Sequence, residues 1–251
     1  MSREAGQNRK YRQIADDLRA AIDDGTHGPG DRLPGENALM SAYGVARMTA
    51  RQALAVLQQE GLAVARKGSG VFVREFRPIV RSGIARLSKE TWGSGGGIWD
   101  AESEQRTLTV DNVTVTEEEA GGHVAVTLGL DDGDTVLVRR RRYLLDGRPV
   151  MVATSSFPAE LARGTAIARD DTGPGGVYAR LSELGHDPVR FTEDVRARMP
   201  RAVDAGLLDV DAGAPLFVIV RVAFTAGRRA VEVNEMTLDA SAYVLRYEFD
   251  A

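Results

Sequence analysis

The hydrophobic positions of the first 60 residues recur at helical spacing in three separate segments. The first covers residues 11–22 and ends at Gly25, which a Gly-Pro-Gly turn follows. The second lies within residues 34–44, where a proline marks the start and a glycine the end. The third covers residues 46–60. Because apolar residues three and four positions apart share one face of a helix, the pattern predicts three short helices joined by tight turns.

The third segment carries two arginines on its polar side. Its apolar residues, which predict the inward face, are Ala50, Ala53, Leu54 and Leu57. Arg47 and Arg51 lie one turn apart near the N-terminal end and point away from that face. A guanidinium group matches O6 and N7 of guanine, and a helix fits the major groove of duplex DNA. Arg47 and Arg51 are therefore candidates for reading bases, provided that neither is held against its own protein.

The periodicity changes after Gly61 from that of a helix to that of strands. Residues 62–66 and 71–73 form two short apolar runs, and the basic, glycine-rich residues 67–70 separate them. This pattern predicts a β-hairpin whose tip carries Lys67 and Gly68. Three helices followed by such a hairpin predict a winged helix-turn-helix, a fold that binds duplex DNA.

Residues beyond 90 mix strand and helix patterns. Two runs, 135–145 and 149–157, flank Asp146-Gly147, which is a strong hairpin signal. Further runs predict strands at 108–115, 188–199, 216–225, 230–238 and 243–249 and helices at 117–130, 176–184 and 203–208. The sequence therefore predicts a mixed α+β domain with a mainly antiparallel sheet. The expected division is a DNA-binding domain at 1–75, a linker at 76–90 and a second domain at 91–251.

Composition and charge narrow the classes of function. With 251 residues, of which 43% are hydrophobic and 27% charged, the chain is long enough for two packed domains. Residues 1–75 hold eleven basic and nine acidic side chains, a net charge of +2, whereas the remainder of the chain carries −6. Because +2 is weak for a DNA-binding domain, binding must depend on where its cations lie. The candidate cations are Arg32, Arg47, Arg51, Arg66 and Lys67.

Several kinds of site and location are excluded or disfavoured by what the sequence lacks. It has no run of 18 apolar residues and no apolar leader at residues 1–10, which predicts a cytoplasmic protein without a membrane span. It has no cysteine, so disulfides, thiol catalysis and thiolate metal sites are excluded. The three histidines, His27, His123 and His186, are scattered, and we expect no metal ion or other cofactor.

The motifs of the predicted DNA-binding domain resemble those of the GntR family of transcription regulators. The resemblance is carried by Arg32-Leu33-Pro34, by the run from Gly44 to Leu54, by Glu60-Gly61-Leu62 and by the run from Lys67 to Val73. In that family, residues at the positions of Arg47 and Arg51 face guanines and phosphates, and residues at the positions of Lys67 and Gly68 reach the minor groove. The resemblance implies a set of DNA-contacting residues that comprises Arg32, Asn37, Arg47, Thr49, Arg51, Lys67 and Gly68.

Three positions depart from the pattern of that family, and the first of them, Gly35, stands where a serine is frequent. Ala46 stands where a serine or threonine often caps the recognition helix, so the side-chain cap is expected to be missing. Asn37 stands where many relatives have an arginine that touches DNA, so a charged contact is expected to be replaced by a neutral one. We expect the docking mode to persist and the operator sequence to differ.

The order of elements from about residue 86 to residue 250 resembles the effector-binding domain of the HutC subfamily, called the UTRA domain, whose members have a chorismate-lyase-like fold. The resemblance is carried by the runs Val138 to Tyr143, Asp146 to Pro149, Thr154 to Pro158, Val177 to Leu181, Ala214 to Leu216 and Val231 to Val233. It implies a homodimer and a small effector, frequently a sugar phosphate or a carboxylate. The implied effector site contains Arg141, Ser155 and Glu232, with Trp92 and Tyr243 as further candidates.

Four consecutive arginines, residues 139–142, fall on one predicted strand. Side chains alternate along a strand, so the first and third share one face and the second and fourth share the other. Four such cations cannot all be buried without partners, for which Glu193 and Asp194 are candidates. Whether the run lines a pocket or is paired with acidic side chains is open at this point.

These patterns favour a dimeric, effector-controlled repressor that binds an inverted repeat, because a two-fold symmetric protein presents two recognition helices. One alternative is a ligand-independent plasmid or architectural repressor whose second domain only dimerises. Another is an enzyme of the lyase type, suggested by the fold resemblance alone. No nucleophile-base pair and no metal-ligand set is visible in the sequence to support that second alternative.

Overall fold

The structure, a computed structural model, describes residues 2–66, 68–75, 78–83, 87–93, 108–210 and 213–248. The chain forms two compact units, Met1–Arg77 and Pro78–Ala251. Among the helices within the described ranges, none is both long enough and apolar enough to cross a membrane.

The first unit contains three helices and a two-stranded hairpin. Its elements are α1 (Ser2–Asp23), α2 (Glu36–Tyr43), α3 (Arg47–Gln59), β1 (Ala63–Arg66) and β2 (Gly70–Val73). The two strands pair antiparallel, with Arg66 opposite Gly70 at the end of the hairpin. Helix α2 ends at Gly44, whose left-handed backbone (φ 61°) lets the chain turn into α3. This order of elements confirms the predicted winged helix-turn-helix.

The core of the first unit lies between its helices and the base of the hairpin. Its buried apolar residues are Ile14, Ala15, Leu18, Leu33, Leu39, Ala50, Ala53, Leu54, Leu57, Ala63 and Val73. The four residues predicted for the inward face of α3 are all among them. Because each large apolar side chain stabilises the fold by about 1.5–3 kcal/mol when it is buried, this face determines which side of α3 is left for solvent.

The second unit is built on a six-stranded antiparallel sheet. Its strands are β3 (Ile79–Ser82), β4 (Leu108–Glu119), β5 (Thr135–Leu145), β6 (Arg148–Pro158), β7 (Arg190–Arg198), β8 (Leu216–Phe224), β9 (Ala230–Asp239) and β10 (Tyr243–Arg246). Its helices are α4 (Lys89–Gly93), α5 (Gly122–Leu128), α6 (Ala159–Ala162), α7 (Gly176–Glu183) and α8 (Ala202–Leu208), with a 3₁₀ turn at Ala166–Ala168. The order in the large sheet is β4-β5-β6-β9-β8-β7, and β3 and β10 form a separate parallel pair. The predicted mixed α+β domain with a mainly antiparallel sheet is confirmed.

The two faces of the large sheet are covered by different elements. On one face, Trp92 of α4 and Tyr178 of α7 belong to an apolar cluster that we call the helix-side cluster. On the same face, Ile79 of β3 and Tyr243 of β10 belong to a second one, the strand-side cluster. Helices α5 and α8 pack against the opposite face in two smaller clusters. Two separate pairs of elements therefore cover the first face: α4 with α7, and β3 with β10.

Two segments differ from the pattern that the sequence predicts. Residues 117–119, expected to begin a helix, continue β4 because they pair with residues 135–137 of β5. Helix α5 accordingly begins only at Gly122. Residues 79–82, expected in a linker, form β3 and pair with β10. In both places, pairing between distant strands overrides the local pattern.

Candidate DNA interface and ligand cavity

Arg47 and Arg51 project from the N-terminal half of α3 into solvent. Their side chains are 60% and 59% exposed, whereas the opposite side of the helix is buried. Helical geometry places the two residues one turn apart, as expected. Both guanidinium groups therefore lie on the side of α3 that the fold of the first unit leaves open.

Glu36, the first residue of α2, lies beside both guanidinium groups. Arg51 donates from Nε to Oε1 of Glu36 at 2.7 Å and from Nη2 to Oε2 at 3.3 Å. Arg47 Nε lies 3.7 Å from Oε2, and Arg47 Nη2 donates to Oδ1 of Asn37 at 3.1 Å. The expectation that both arginines are free of their own protein is therefore wrong. Hydrogen bonding from Arg51 lowers the pKa of Glu36 below its ordinary value, which keeps the carboxylate ionised at neutral pH.

These contacts are weak enough to be exchanged for contacts with DNA. An ion pair between exposed side chains contributes about 0–1 kcal/mol, because water and salt screen it. A bidentate contact between arginine and guanine contributes about 1–3 kcal/mol of base discrimination. Because the contact with guanine is worth more than the exposed ion pair, transfer of Arg51 from Glu36 to a base is favoured. In the absence of DNA, Glu36 holds the Arg51 side chain in a defined orientation.

Glu36 is a site residue that sequence reasoning missed. It lies 15 residues before Arg51 on a different helix, so helical periodicity does not relate the two. The turn between α2 and α3 brings them together. A carboxylate at the first position of the helix that precedes an arginine-bearing helix was the signal that could have indicated the pair.

Arg32 and the hairpin form the second part of the candidate DNA interface. Arg32 is exposed, and its backbone bridges to Phe72 of β2. Its guanidinium lies over Gly70, where a Cβ would come within 3.0 Å of Nε of Arg32. Arg66 covers the ring of Phe72, with its guanidinium carbon 4.4 Å from the ring centroid. The structure therefore gathers two cations, Arg32 and Arg66, at the hairpin.

Lys67 and Gly68 are the residues expected to reach the minor groove from the hairpin tip. Gly68 is exposed and has a φ of 74°, a conformation that glycine adopts without strain. A Cβ at this position would meet no other atom within 4 Å, so a neighbouring backbone has room to approach. Lys67 lies outside the described residues.

Thr49 is buried, and its expected contact with DNA is not compatible with this position. It is 4% exposed and lies on the same side of α3 as Ala50 and Ala53. Helical spacing turns position 49 toward the core while positions 47 and 51 turn outward. The backbone N–H of Thr49 bonds to the carbonyl of Ala46 at 3.0 Å. Ala46 itself provides no side-chain cap, as expected.

The second unit contains a cavity of about 300 Å³ between the large sheet and the N-terminal end of α7. Its polar lining residues include Arg139, Arg141, Tyr143, Tyr178, Glu232 and Asn234. Arg141 and Glu232, both expected in an effector site, therefore lie in one cavity. Its volume is at the small end of the range for ligand sites, about 300–1,000 Å³. Within the described part of the chain, no group of three or more His, Asp or Glu residues is placed to hold a metal ion.

The four arginines of residues 139–142 divide between the two faces of the sheet. The first and third line the cavity. On the opposite face the other two form ion pairs with β4, each at 2.6 Å: Arg140 with Glu118 and Arg142 with Asp111. Because side chains alternate along a strand, the run both lines a pocket, on one face, and pairs with acidic side chains, on the other.

Glu193 and Asp194, the expected partners of the arginine run, lie too far away to serve. Both belong to β7, which is four strands from β5 in the sheet order. Neighbouring strands lie about 4.8 Å apart, so this separation is far beyond the reach of an ion pair. Glu193 pairs instead with Arg81 of β3. The expected pairing was wrong because it depended on a strand order that the sequence does not show.

Arg139 is anchored to main-chain carbonyls, whereas Arg141 is held by a hydroxyl. Arg139 is 2% exposed and donates to the carbonyl of Ile167 at 2.7 Å and to that of Asp170 at 3.0 Å. Burial, with a smaller contribution from the nearby Arg141, lowers the pKa of Arg139 to about 10, so it stays charged at neutral pH. Arg141 donates from Nη2 to Oγ of Ser155, which is fully buried. Ser155 therefore orients Arg141 from within the sheet.

Four buried polar atoms of cavity residues have no hydrogen-bond partner among the described residues. They are Nε of Arg139, Nε of Arg141, Oε2 of Glu232 and Oδ1 of Asn234. Glu232 and Asn234 are 1% and 2% exposed. Because buried polar groups are nearly always hydrogen-bonded, these atoms mark where the cavity is suited to bind the polar groups of a ligand.

A row of polar side chains crosses five strands of the sheet on the face of the cavity. The strand register places its members directly opposite one another: Arg139 (β5), Ser155 (β6), Asn234 (β9), Arg221 (β8) and Glu193 (β7). Each of these side chains is at most 9% exposed. This polar row lies between the helix-side cluster and the strand-side cluster.

Trp92 and Tyr243, the further candidates for ligand contact, do not line the cavity. The Trp92 ring packs edge-on against Tyr178, with 6.1 Å between centroids, and its Nε1 donates to the carbonyl of Leu87 at 3.3 Å. Tyr243 is 2% exposed and belongs to the strand-side cluster. The expected contacts are wrong because both rings are used in the core. Trp92 instead supports the start of α7, where a Cβ on Gly175 would lie 2.6 Å from the Trp92 carbonyl.

Arg139 and Asn234 are cavity residues that were left out of the expected effector site. Each lies two positions along a strand from an expected residue, Arg139 from Arg141 and Asn234 from Glu232. The two-residue period of a strand was therefore the signal that could have found them. No periodic pattern indicated residues 170–172, which line the cavity from a loop.

Comparison with known proteins identifies both units. Residues 10–73 match the family described as bacterial regulatory proteins, gntR family, and residues 103–244 match the UTRA domain. A helix-turn-helix transcriptional regulator of Streptomyces coelicolor is 30% identical over 248 residues, which cover 96% of this chain and 92% of that protein. The histidine utilization repressor of Pseudomonas putida is 28% identical over 243 residues, which cover 95% of this chain and 91% of that protein.

A solved structure shows the same architecture. The crystal structure of a regulator assigned to the GntR family aligns with a TM-score of 0.65 at 27% identity and covers 96% of this chain and 98% of its own. The family and these relatives are transcriptional regulators, which removes the lyase alternative. The protein therefore belongs to the GntR family of transcriptional regulators, among the HutC-like members that join a winged helix-turn-helix to a UTRA domain.

Proposed function

We propose that this protein is a dimeric repressor that binds an inverted-repeat operator and releases it when an anionic small molecule occupies the cavity. Two recognition helices related by two-fold symmetry suit the two halves of an inverted repeat. A relative named as a repressor, the histidine utilization repressor, supports the direction of control. A regulator of bacterial DNA of this kind works in the cytoplasm.

The proposed DNA contacts come from α2, α3, the hairpin and the segment before α2 that bridges to it. They are Arg32, Asn37, Arg47, Arg51, Lys67 and Gly68. In this arrangement Arg47 and Arg51 leave Glu36 for base edges or phosphates in the major groove. Because α3 has no side-chain cap, the N–H groups of Arg47 and Met48 at its start are also suited to a DNA phosphate.

The excess of buried positive charge on this face of the sheet is the observation that supports an anionic effector. Four guanidinium groups are buried or partly buried on this face of the sheet: Arg81, Arg139, Arg141 and Arg221. Two carboxylates of this face, Glu193 and Glu232, have little exposure, whereas Asp170 and Asp171 line the cavity from an exposed loop, from which Asp170 attracts Arg139. Burying charge without a partner is costly. A phosphate or carboxylate group beside Arg139 and Arg141 offsets part of this excess.

Glu232 adds a second requirement for the effector. Its Oε2 can accept a hydrogen bond only from a donor such as a hydroxyl or an amine. A small sugar phosphate or an amino- or hydroxy-carboxylate joins such a donor to an anionic group. The proposed effector class is therefore a molecule with an anion at the arginine side of the cavity and a donor at Glu232.

Operator release tests the proposal directly. Fragments bound by the protein are selected from a random DNA pool, and the selected operator is titrated at fixed salt with and without sugar phosphates and carboxylates. We expect the correct effector to weaken operator binding by about 5–150-fold, the usual range of coupling between two sites. Arg141→Met should abolish this release, whereas Arg140→Met, on the opposite face of the same strand, should retain it.

Two results would contradict the proposal. An operator dissociation constant that no member of the panel changes would favour the ligand-independent repressor whose second domain only dimerises. A monomer in sedimentation analysis at the concentration that binds operator would contradict the dimer.

A further inference from the structure

The polar row continues at its β7 end into strand β3. Arg81 of β3 donates from Nη2 to Oε1 of Glu193 at 2.7 Å and from Nη1 to Oε2 at 3.1 Å. The two side chains are 0% and 9% exposed. Strand β3 begins at Ile79, two residues after the first unit ends at Arg77. A buried two-point ion pair therefore ties the segment that follows the DNA-binding unit to the end of the polar row.

Arg221 connects this ion pair to the cavity. Its Nε lies 3.9 Å from Oε1 of Glu193, the same oxygen to which Arg81 donates. Its guanidinium carbon lies 5.8 Å from the ring centroid of Tyr178, which lines the cavity. In the strand register Arg221 stands directly opposite Asn234, another lining residue. Arg221 therefore adjoins the wall of the cavity on one side and Glu193 on the other.

The charges around Arg221 make its position sensitive to charge in the cavity. Burial alone would lower the pKa of Arg221, but Tyr178, Glu232 and Glu193 raise it above its ordinary value, so it stays charged. It is attracted by two carboxylates, Glu232 at the cavity and Glu193 on the side of β3. Charges interact strongly where water is excluded. A change of charge near Glu232 therefore alters how Arg221 and Arg81 share Glu193.

We propose that Arg81, Glu193 and Arg221, which we call the ionic relay, couple the charge in the cavity to the stability of strand β3. An anion beside Arg139 and Arg141 draws Arg221 toward the cavity and leaves Glu193 more fully to Arg81. Strand β3 is then held more firmly. The regulatory meaning of the relay rests on the proposed function, because β3 follows the DNA-binding unit in the sequence.

Amide hydrogen exchange in the full-length chain tests the relay without DNA or effector. Glu232→Gln removes a buried negative charge at the cavity with little change of shape, so Arg221 should move toward Glu193 and compete with Arg81. We expect the amides of residues 79–82 to exchange at least about threefold faster, within the range for residues of one ionic network. Amides of β6 in the same sample report global unfolding, and the relay is measured by the ratio of the two rates.

Combining Glu232→Gln with a second substitution shows whether the effect on β3 passes through Arg81. With Arg81→Met the relay is cut, and the effect of Glu232→Gln on β3 should fall below about twofold. With Arg140→Met, which removes an arginine from the opposite face of β5, the effect should persist in full. If Arg81→Met does not fold, Arg81→Lys keeps the charge but gives up the two-point contact, and it should reduce the effect of Glu232→Gln on β3 without abolishing it.

Two results would overturn the relay. One is a relative exchange rate at β3 that Glu232→Gln leaves unchanged, and the other is an effect that survives the loss of Arg81. Because neither operator nor effector enters these measurements, failure of the relay is distinguishable from failure of the proposed repressor function, which the operator titrations test.

Discussion

Two regions of this molecule pair an arginine with a glutamate at the same separation but in different surroundings. In the first unit Arg51 lies 2.7 Å from Glu36, and the side chain of Arg51 is 59% exposed. In the second unit Arg81 lies 2.7 Å from Glu193, with side chains 0% and 9% exposed. Equal distances therefore do not make equivalent ion pairs.

Burial determines what happens when one partner leaves. At the surface, water and salt ions replace a lost partner, so the pair is readily exchanged. In the interior, the remaining charge is left without compensation. Arg51 is accordingly placed to leave Glu36 for DNA, whereas Arg81 cannot leave Glu193 without destabilising β3.

The largest expected effect is the loss of the buried carboxylate. Glu193→Gln should lower the free energy of unfolding by about 3–5 kcal/mol, because it leaves buried guanidinium groups without their partner. Urea denaturation followed by circular dichroism measures the change. The matched control is Glu118→Gln, which removes an exposed carboxylate paired with Arg140 and should cost less than about 1 kcal/mol. Equal losses in the two variants would remove the distinction between buried and exposed pairs.

The next effect is on operator binding. Arg51→Ala or Arg47→Ala should weaken the free energy of operator binding by about 1–3 kcal/mol and relax the preference at one base pair. Lys67→Ala should instead weaken binding to all sequences alike and reduce the slope of log affinity against log salt concentration by about one. Fluorescence anisotropy at several salt concentrations measures both. Arg12→Ala removes the same charge from α1 as a control. Base reading by the arginines is refuted if Arg47→Ala and Arg51→Ala weaken operator and random DNA equally.

A smaller effect is expected from releasing the arginines of α3. Glu36→Gln removes a negative charge beside Arg47 and Arg51, so binding to random DNA should tighten by less than about 1 kcal/mol while the preference for operator falls. The same anisotropy titrations on both DNAs measure the change. Glu60→Gln, which removes the carboxylate that pairs with Arg19, is the control. Weaker binding of Glu36→Gln to random DNA would contradict an exchangeable pair.

The smallest effect is the pH dependence of an exposed pair. Hydrogen bonding from Arg140 lowers the pKa of Glu118 from 4.5 to about 2. The folded pKa is lower than the unfolded one, so the stabilisation is present above the unfolded pKa and is lost as pH falls toward 2. The stability difference between the parent and Glu118→Gln should stay below about 1 kcal/mol near neutral pH and shrink in acid. Urea denaturation at several pH values measures this difference. A difference in the free energy of unfolding that grows as the pH falls would contradict the prediction.

Local periodicity was sufficient to predict most of the elements and, in two places, the faces of their side chains. The inward face of α3 follows from a period of about 3.6 residues, and the division of residues 139–142 between two faces follows from a period of two. Neither prediction requires knowledge of which segments meet. The first is confirmed by burial, and the second by the cavity that Arg139 and Arg141 line and by the ion pairs of Arg140 and Arg142 with β4.

Contacts between distant segments could not be predicted in this way. Glu36 meets Arg51 through a turn between helices, and Asp111 and Glu118 face the arginine run because β4 pairs with β5, with a register shift inside β4. Three residues expected at binding sites, Thr49, Trp92 and Tyr243, are at most 4% exposed. Their residue type suited a binding site, but residue type does not determine which way a side chain faces.

The polar row has a consequence for how this architecture accommodates change. On one side of the row the sheet is covered by α4 and α7, and on the other by β3 and β10. Substitutions in α7 and in the loop before it can reshape the cavity while the contacts that fix β3 are left intact. Natural variation in α7 and its preceding loop can therefore change which ligand the cavity binds, while β3 keeps its sequence and its contacts.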